Sequence, residues 1–235
     1  MSACIWVVVP AAGVGKRMQS NTPKQYLPLG ANTVLDCTLG QLLSHNKIAG
    51  VLLGLGSEDS YWPDSIWFGH EKIKTFVGGV ERADTVRLGL DYLSNQLGLK
   101  NDFVLVHDAA RPLIAHQSID DLLANTNPCG GILAIPAKDT IKQSLETSKP
   151  SCVEKTIDRN LIWQAQTPQK FMIKTLIDAI DYAKSQGVEV TDESSAMELS
   201  GYQPALIEGD TRNFKITLPI DLVIANALLM HEPLQ

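Results

Sequence analysis

Lys16, Arg17 and Lys24 are the only Lys or Arg residues among the first 35, a stretch that holds no carboxylate. They surround Pro10-Ala11-Ala12-Gly13-Val14-Gly15-Lys16-Arg17-Met18, which follows the apolar run Ile5–Val9. Glycines let backbone N–H groups close on phosphate oxygens, and neighbouring cations neutralise the charge. In a chain of formal net charge -6, this local excess of cations points to an anionic small molecule, a polyphosphate. The same acidic balance argues against a nucleic-acid-coating surface.

Spacing narrows the loop further. A Walker loop needs Gly-Lys followed by Ser or Thr, with another glycine five residues before that Gly; here Arg17 follows Gly15-Lys16 and Pro10 stands at the earlier position. A dinucleotide fingerprint puts its third glycine where Met18 stands. What remains is Gly13-x-Gly15-x-Arg17-Met18 followed by Pro23-Lys24-Gln25-Tyr26. Arg17 and Lys24 can then reach one triphosphate from different directions.

The elements that must position these groups follow from the apolar pattern. Ile5–Val9, Val51–Leu55, Phe103–Val106, Ile132–Ile135 and Ala205–Ile207 read as strands. Val86, Leu90, Leu93 and Leu97 recur at helical spacing, as do Ile119, Leu122 and Leu123 after Ser118 as an N-cap, and Ile173, Ile177 and Ile180. Pro219 fits the first turn of a last helix, Ile220–Met230. Alternating strands and helices predict an α/β fold, a Rossmann-like, doubly wound, mostly parallel sheet. Lys138–Leu145 and Cys152–Ile157 are polar and strand-like, which predicts a protruding β-hairpin arm over about residues 138–160. An isolated hairpin is marginal in water. The residues alone leave open whether it is a solvated surface feature or packs on a second subunit.

At 235 residues and 44% hydrophobic content, the chain can bury a full core, and we expect one domain over residues 1–235 with the arm attached. No apolar run approaches the roughly 20 residues of a membrane helix. Cys4, Cys37, Cys129 and Cys152 are widely spaced, which predicts reduced thiols in a cytoplasmic protein. The five histidines form no triad, and His107 alone lies in a motif.

Further segments carry a resemblance. They are Gly78-Gly79-x-Glu81-Arg82-x-x-Thr85-Val86, Val106-His107-Asp108-Ala109-Ala110-Arg111-Pro112, Asp139-Thr140, Thr156-x-Asp158-Arg159, Thr167-Pro168-Gln169, Thr191-Asp192-Glu193 and Asn213-x-Lys215-Ile216-Thr217. With the first loop and Pro23–Tyr26, they make the chain similar to the sugar-phosphate nucleotidyltransferases. In order from Pro10 to Thr217, the set resembles the 2-C-methyl-D-erythritol 4-phosphate cytidylyltransferase family of non-mevalonate isoprenoid biosynthesis.

The resemblance implies transfer of CMP from CTP to 2-C-methyl-D-erythritol 4-phosphate, with Mg²⁺ as cofactor, in a homodimer held through the arm. It implies that Arg17 and Lys24 stabilise the α-phosphoryl transition state, while Arg159 and Lys215 position the attacking phosphate. Pro10, Ala11, Ala12, Gly13, Gly15, Gly79, Val80 and Thr85 would bind the nucleotide. Val80 departs from the polar residue common there. Asp108, Arg111, Thr140, Thr167 and Thr191 would bind the polyol phosphate. Asp108 follows a predicted strand, at the end where ligands of open α/β sheets collect, and it would also hold the metal, directly or through water. A carboxylate capping the next helix is the bland alternative.

Three other readings compete. Ribitol 5-phosphate cytidylyltransferase shares the nucleotide half; Ala110 leans away from it. A non-catalytic nucleotide-binding regulator should have lost some of Arg17, Lys24, Arg159 and Lys215, yet all are present. A nicotinamide-dependent dehydrogenase is disfavoured by Met18 and by Glu58 as the first carboxylate after the second strand.

Overall fold

A computed structural model describes residues 5–13, 22–147 and 150–231. In chain order the elements are β1 (Ile5–Pro10), β2 (Pro28–Leu29), β3 (Asn32–Thr33), α1 (Val34–Ser44), β4 (Ile48–Leu55), β5 (Ile73–Val77), α2 (Arg82–Gln96), β6 (Phe103–Val106) and α3 (His116–Ala124). Then come β7 (Gly131–Pro136), β8 (Ile141–Ser144), β9 (Val153–Ile157), β10 (Trp163–Met172), α4 (Ile173–Ser185), α5 (Glu193–Leu199), β11 (Ala205–Glu208) and α6 (Pro219–His231).

Val7, Val8, Val9, Val51, Leu52 and Leu53 are all fully buried. Strands apolar on both faces belong in the middle of a covered sheet. The sheet has seven strands in the order β11-β7-β10-β6-β1-β4-β5. β10 alone runs antiparallel to its neighbours, β6 and β7. Val7 and Val9 pack against Leu35, Leu39 and Leu42 of α1 and Ile119 and Leu122 of α3. Val8 and Leu52 face the other way, onto α2, α4 and α5 through Val86, Leu90, Leu176 and Met197. This is the doubly wound arrangement expected.

Local signals account for the ends of the helices. Thr33 Oγ1 accepts the Asp36 N–H while Asp36 Oδ2 accepts the Thr33 N–H, each at 3.1 Å, a reciprocal cap that starts α1. α3 starts earlier than expected, at His116 after Ala115, and Ser118 is a buried residue within it. Pro219 opens α6 as expected.

Two sheet strands lay outside the sequence expectation, β5 and β10. β10 is polar in composition, yet Gln166, Thr167, Gln169 and Lys170 are buried. Their polar atoms are satisfied internally: Lys170 Nζ donates to Leu123 O and Asn125 O at 2.9 Å each, closing the end of α3. The arm is present as a separate two-stranded sheet, β8 with β9. Cys37, Cys129 and Cys152 are free thiols. Among the described residues no helix is long and apolar enough to cross a membrane.

Candidate active site

β1, β4 and β5 are laid down in one direction, and the chain then returns to place β6 on the other side of β1. Ligands collect at the carboxyl ends of strands where the order reverses. A cleft of about 300 Å³ lies there, lined by Pro10–Gly13, Lys24, Gln25, Gly79–Arg82, Thr85, Asp108–Ala110 and Lys215.

The first wall is the segment after β1. The Ala11 N–H donates to Gly54 O, and Ala11 O accepts from the buried Gln25 Nε2, both at 2.8 Å. A Cβ added at Gly13 would meet nothing within 4 Å, so the backbone there faces open space. Lys24 stands in a short 3₁₀ turn, Lys24–Tyr26, and its Nζ donates to Ile216 O at 3.3 Å. That contact carries the cation across the cleft to the residue beside Lys215. Gly15 and Arg17 lie outside the described residues.

The second wall is the turn between β5 and α2. Thr85 Oγ1 accepts the Gly79 N–H at 3.1 Å and donates to Glu81 O at 3.2 Å, so this hydroxyl braces the turn. A side chain at Gly78 would put its Cβ 2.7 Å from Ala12 Cβ and 2.8 Å from Thr85 Oγ1. Glycine is therefore required for the two walls to approach. Val80 lines the cleft yet is 95% exposed, so it stands at the open rim.

The floor is Asp108, two residues beyond β6, its side chain only 8% exposed. Its Oδ1 receives Arg82 Nε at 2.9 Å; its Oδ2 receives Arg111 Nε at 3.3 Å and stands 3.0 Å from Lys215 Nζ. Burial pushes its pKa up, but Arg82, Lys215 and Arg111 outweigh that and hold it well below the usual carboxylate range. Both oxygens are thus engaged by cations. Three cations already balance this charge and would repel a divalent ion, so Asp108 does not suit direct ligation of Mg²⁺, while its remaining lone pairs can still accept neutral hydroxyls. Among the described residues no cluster of three or more His, Cys, Asp or Glu could hold a metal either.

Behind the floor lies a buried polar network. The Asp108 N–H donates to Thr167 Oγ1 at 3.0 Å, and that hydroxyl is 3.0 Å from His107 Nδ1. His107 Nε2 is 3.1 Å from Arg111 O. One proton assignment satisfies every group: Thr167 donates to Nδ1 and the Nε2–H donates to Arg111 O. Burial lowers the His107 pKa to about 4, which keeps the imidazole neutral. Asn213, also fully buried, donates to Thr167 O at 2.8 Å, and its own carbonyl accepts Arg111 Nη1 at 2.7 Å.

The expected site residues therefore fall into groups. Pro10, Ala11, Ala12, Gly13, Lys24, Gly79, Val80, Thr85, Asp108 and Lys215 share the cleft. Arg111 and Thr167 are buried behind it, bonded to Asp108. Thr140, Arg159 and Thr191 are exposed and lie outside its lining. Arg159 donates to Lys138 O at the base of the arm, and Thr191 Oγ1 to Ser195 Oγ at 3.4 Å. Sequence reasoning assigned no role to Gln25, Arg82, Glu193 or Asn213. All four stand inside recognised motifs, but their types alone read as ordinary loop and helix-start residues.

Known proteins are similar to this chain over nearly its whole length. The family model described as 2-C-methyl-D-erythritol 4-phosphate cytidylyltransferase matches residues 5–231. The protein of that name from Vibrio vulnificus is 45% identical over 227 residues, 96% of this chain and 94% of that protein. Its counterpart in Pseudomonas paraeruginosa is also 45% identical, covering 93% of each. A crystal structure of the Francisella tularensis 2-C-methyl-D-erythritol 4-phosphate cytidylyltransferase is similar with a TM-score of 0.80 at 35% identity, covering 96% of this chain and 99% of that one. A crystal structure of a 4-diphosphocytidyl-2C-methyl-D-erythritol synthase gives a TM-score of 0.81 at 34% identity, with the same coverage. With the fold, the cleft and the ordered motifs in agreement, the chain belongs to the 2-C-methyl-D-erythritol 4-phosphate cytidylyltransferase family.

Proposed function

We propose that this cleft joins CTP to 2-C-methyl-D-erythritol 4-phosphate, releasing pyrophosphate and giving 4-CDP-2-C-methyl-D-erythritol. The observation that carries the reading is the convergence of Lys24 and Lys215, from opposite ends of the chain, on a glycine-walled cleft floored by Asp108. A phosphate oxygen of the sugar attacks the α-phosphorus of CTP, and the bond to the β-phosphate bridging oxygen breaks. Pyrophosphate leaves with that electron pair. The attacking oxygen is already ionised near neutral pH, so no general base is needed. The single histidine nearby, His107, is fully buried with both ring nitrogens engaged, which suits that chemistry.

Lys24 and Lys215 place positive charge where two anions must meet, and charge stabilisation is the main work of such a transfer. Arg17 joins them in this reading. Asp108, held ionised, accepts hydroxyls of the polyol. Thr167 acts by fixing Asp108, and the backbone of Gly79 and Val80 meets the base. Magnesium would screen triphosphate charge, held by the phosphate oxygens and water and reaching Asp108 at most through water, since three cations surround that carboxylate.

The arm supports a homodimer: Leu145 and Val153 on it are 65% and 61% exposed, and Leu161 beside its base is 80% exposed. A cytoplasmic location accords with the free thiols. Pyrophosphate release with CTP and Mg²⁺, offered methylerythritol 4-phosphate and ribitol 5-phosphate separately, tests the function. Release with the first alone is expected. Release with ribitol 5-phosphate alone would move the chain to the related polyol enzyme, and silence with CTP binding intact would favour a regulator.

A further inference from the structure

Glu193 is a carboxylate 1% exposed at the start of α5, and Arg82 is the cation that meets it. Arg82 Nη1 donates to Glu193 Oε1 at 2.7 Å and Nη2 to Oε2 at 3.1 Å, while Nε of the same guanidinium donates to Asp108 Oδ1 at 2.9 Å. Such a fork fixes the guanidinium plane as no ammonium could. Glu193 is itself held by its neighbours. Asp192 caps α5 through Ser195 N–H at 2.9 Å and accepts Gln169 Nε2 at 2.8 Å, and Gln169 Oε1 accepts the Ser194 N–H at 2.9 Å. A continuous chain of bonds therefore runs from β10, through α5 and the first turn of α2, to the floor of the cleft.

We infer that Glu193 is a positioning residue for the second substrate: through Arg82 it fixes the Asp108 carboxylate in the orientation that receives the polyol. Glu193 does not line the cleft. Arg82 does line it, but two carboxylates flank its guanidinium and orient it away from the role of a free phosphate binder. Oδ1 of Asp108 is set by this strut, while Oδ2 is left to Arg111 and Lys215. The nucleotide side is braced separately, by Gln25 on Ala11 and by Thr85 on Gly79. Loss of the strut should therefore fall on the sugar phosphate and spare CTP. The inference rests on the cytidylyl-transfer reading for the identity of that substrate.

The test is a double-mutant cycle on the full chain with Glu193→Gln, Arg82→Gln and the pair, measuring kcat and KM for each substrate. Glu193→Gln should raise the KM for methylerythritol 4-phosphate about tenfold or more, because small misplacements at such sites are costly. The KM for CTP should stay within about twofold, and adding Glu193→Gln to Arg82→Gln should cost less than about twofold more, since one acts through the other. Equal losses for both substrates, or additive losses in the pair, would overturn the inference. Arg82→Lys keeps the charge without the fork, so it carries the test if Glu193→Gln does not fold; an unchanged sugar-phosphate KM in it would overturn the strut. A crystal structure of Glu193→Gln gives a readout independent of turnover. Arg82 Nε should leave Asp108 Oδ1; an intact hydrogen bond and an unmoved Asp108 would sink the strut even if the wild-type chain proved inactive on methylerythritol phosphate. Should the wild type be inactive while Arg82 Nε swings away from Asp108 in the variant, the strut stands and only the substrate assignment falls.

Discussion

Lys215 Nζ stands 3.0 Å from Oδ2 of Asp108, pairing a cation 33% exposed with a carboxylate 8% exposed. The buried partner keeps Arg82 and Arg111 when the lysine is removed. Lys215→Ala should therefore lower kcat about 10²- to 10³-fold, the scale of losing one preorganised charge-stabilising donor. The unfolding midpoint should move by no more than about 3 °C, corresponding to about 1 kcal/mol in a chain of this size. Full activity would remove Lys215 from the mechanism, and a large fall in the midpoint would make it a structural ion.

Arg111 differs in kind. It is 9% exposed and binds Asp108 Oδ2, Asn213 O at 2.7 Å and Ala165 O at 3.4 Å. Arg111→Ala leaves the Asn213 carbonyl without this donor and the acidic floor with one cation fewer. We expect a loss of about 3 kcal/mol or more in urea unfolding, as for a broken buried pair. The KM for the sugar phosphate should rise more than that for CTP. A variant as stable as wild type would mean that Lys215 and Arg82 suffice to hold Asp108.

These two residues also mark what the sequence could disclose. Lys24 was recognisable as a site cation from the glycine loop and the carboxylate-free stretch around it, whereas Lys215 was legible only through the family resemblance, since a lysine on a loop otherwise reads as a solvated charge. The depth of Arg111 and Thr167 was not legible. Burial of a polar group depends on partners such as Asn213 and His107, which only the fold brings near. β10 was missed for the same reason: Gln166, Thr167, Gln169 and Lys170 read as surface residues until their partners are known. β1, β4 and β6 were plain, since continuous apolar runs have one use in an α/β chain. Glu193 carried no local signal, because a glutamate in the first turn of a helix is ordinary.

His107 makes a prediction about pH. Its folded pKa is about 4, depressed by burial from an ordinary 6.5. Between those values the unfolded chain binds the proton and the folded chain does not, so stability rises with pH there. The contribution is complete above about pH 6.5 and is lost progressively as pH falls toward 4, about 3 kcal/mol in all. His107→Gln removes the titration while keeping one donor and one acceptor for Arg111 O and Thr167. In urea unfolding at pH 7.5, 5.5 and 4.5, the stability difference between wild type and variant should shift in favour of the variant as pH falls. A difference independent of pH would assign the acid sensitivity to other groups.

The arm carries the last prediction. β8 and β9 pair with each other and join no other strand, and Leu145, Val153 and Leu161 stand mostly exposed along and beside them. Apolar residues on a two-stranded sheet have no core of their own to enter, so a second copy of the chain is the partner that would bury them. If the arm joins two copies, the full chain should run as a dimer and a chain lacking residues 141–153 as a monomer by size-exclusion with light scattering. A stable dimer after the deletion would place the interface elsewhere. Arg159 sits at the base of this arm, outside the cleft of its own chain. If it serves the neighbouring cleft, inactive Arg159→Ala and Lys24→Ala chains should regain activity when refolded together, because one mixed site receives both intact residues. No recovery from a mixture shown to form heterodimers would instead tie Arg159 to its own chain.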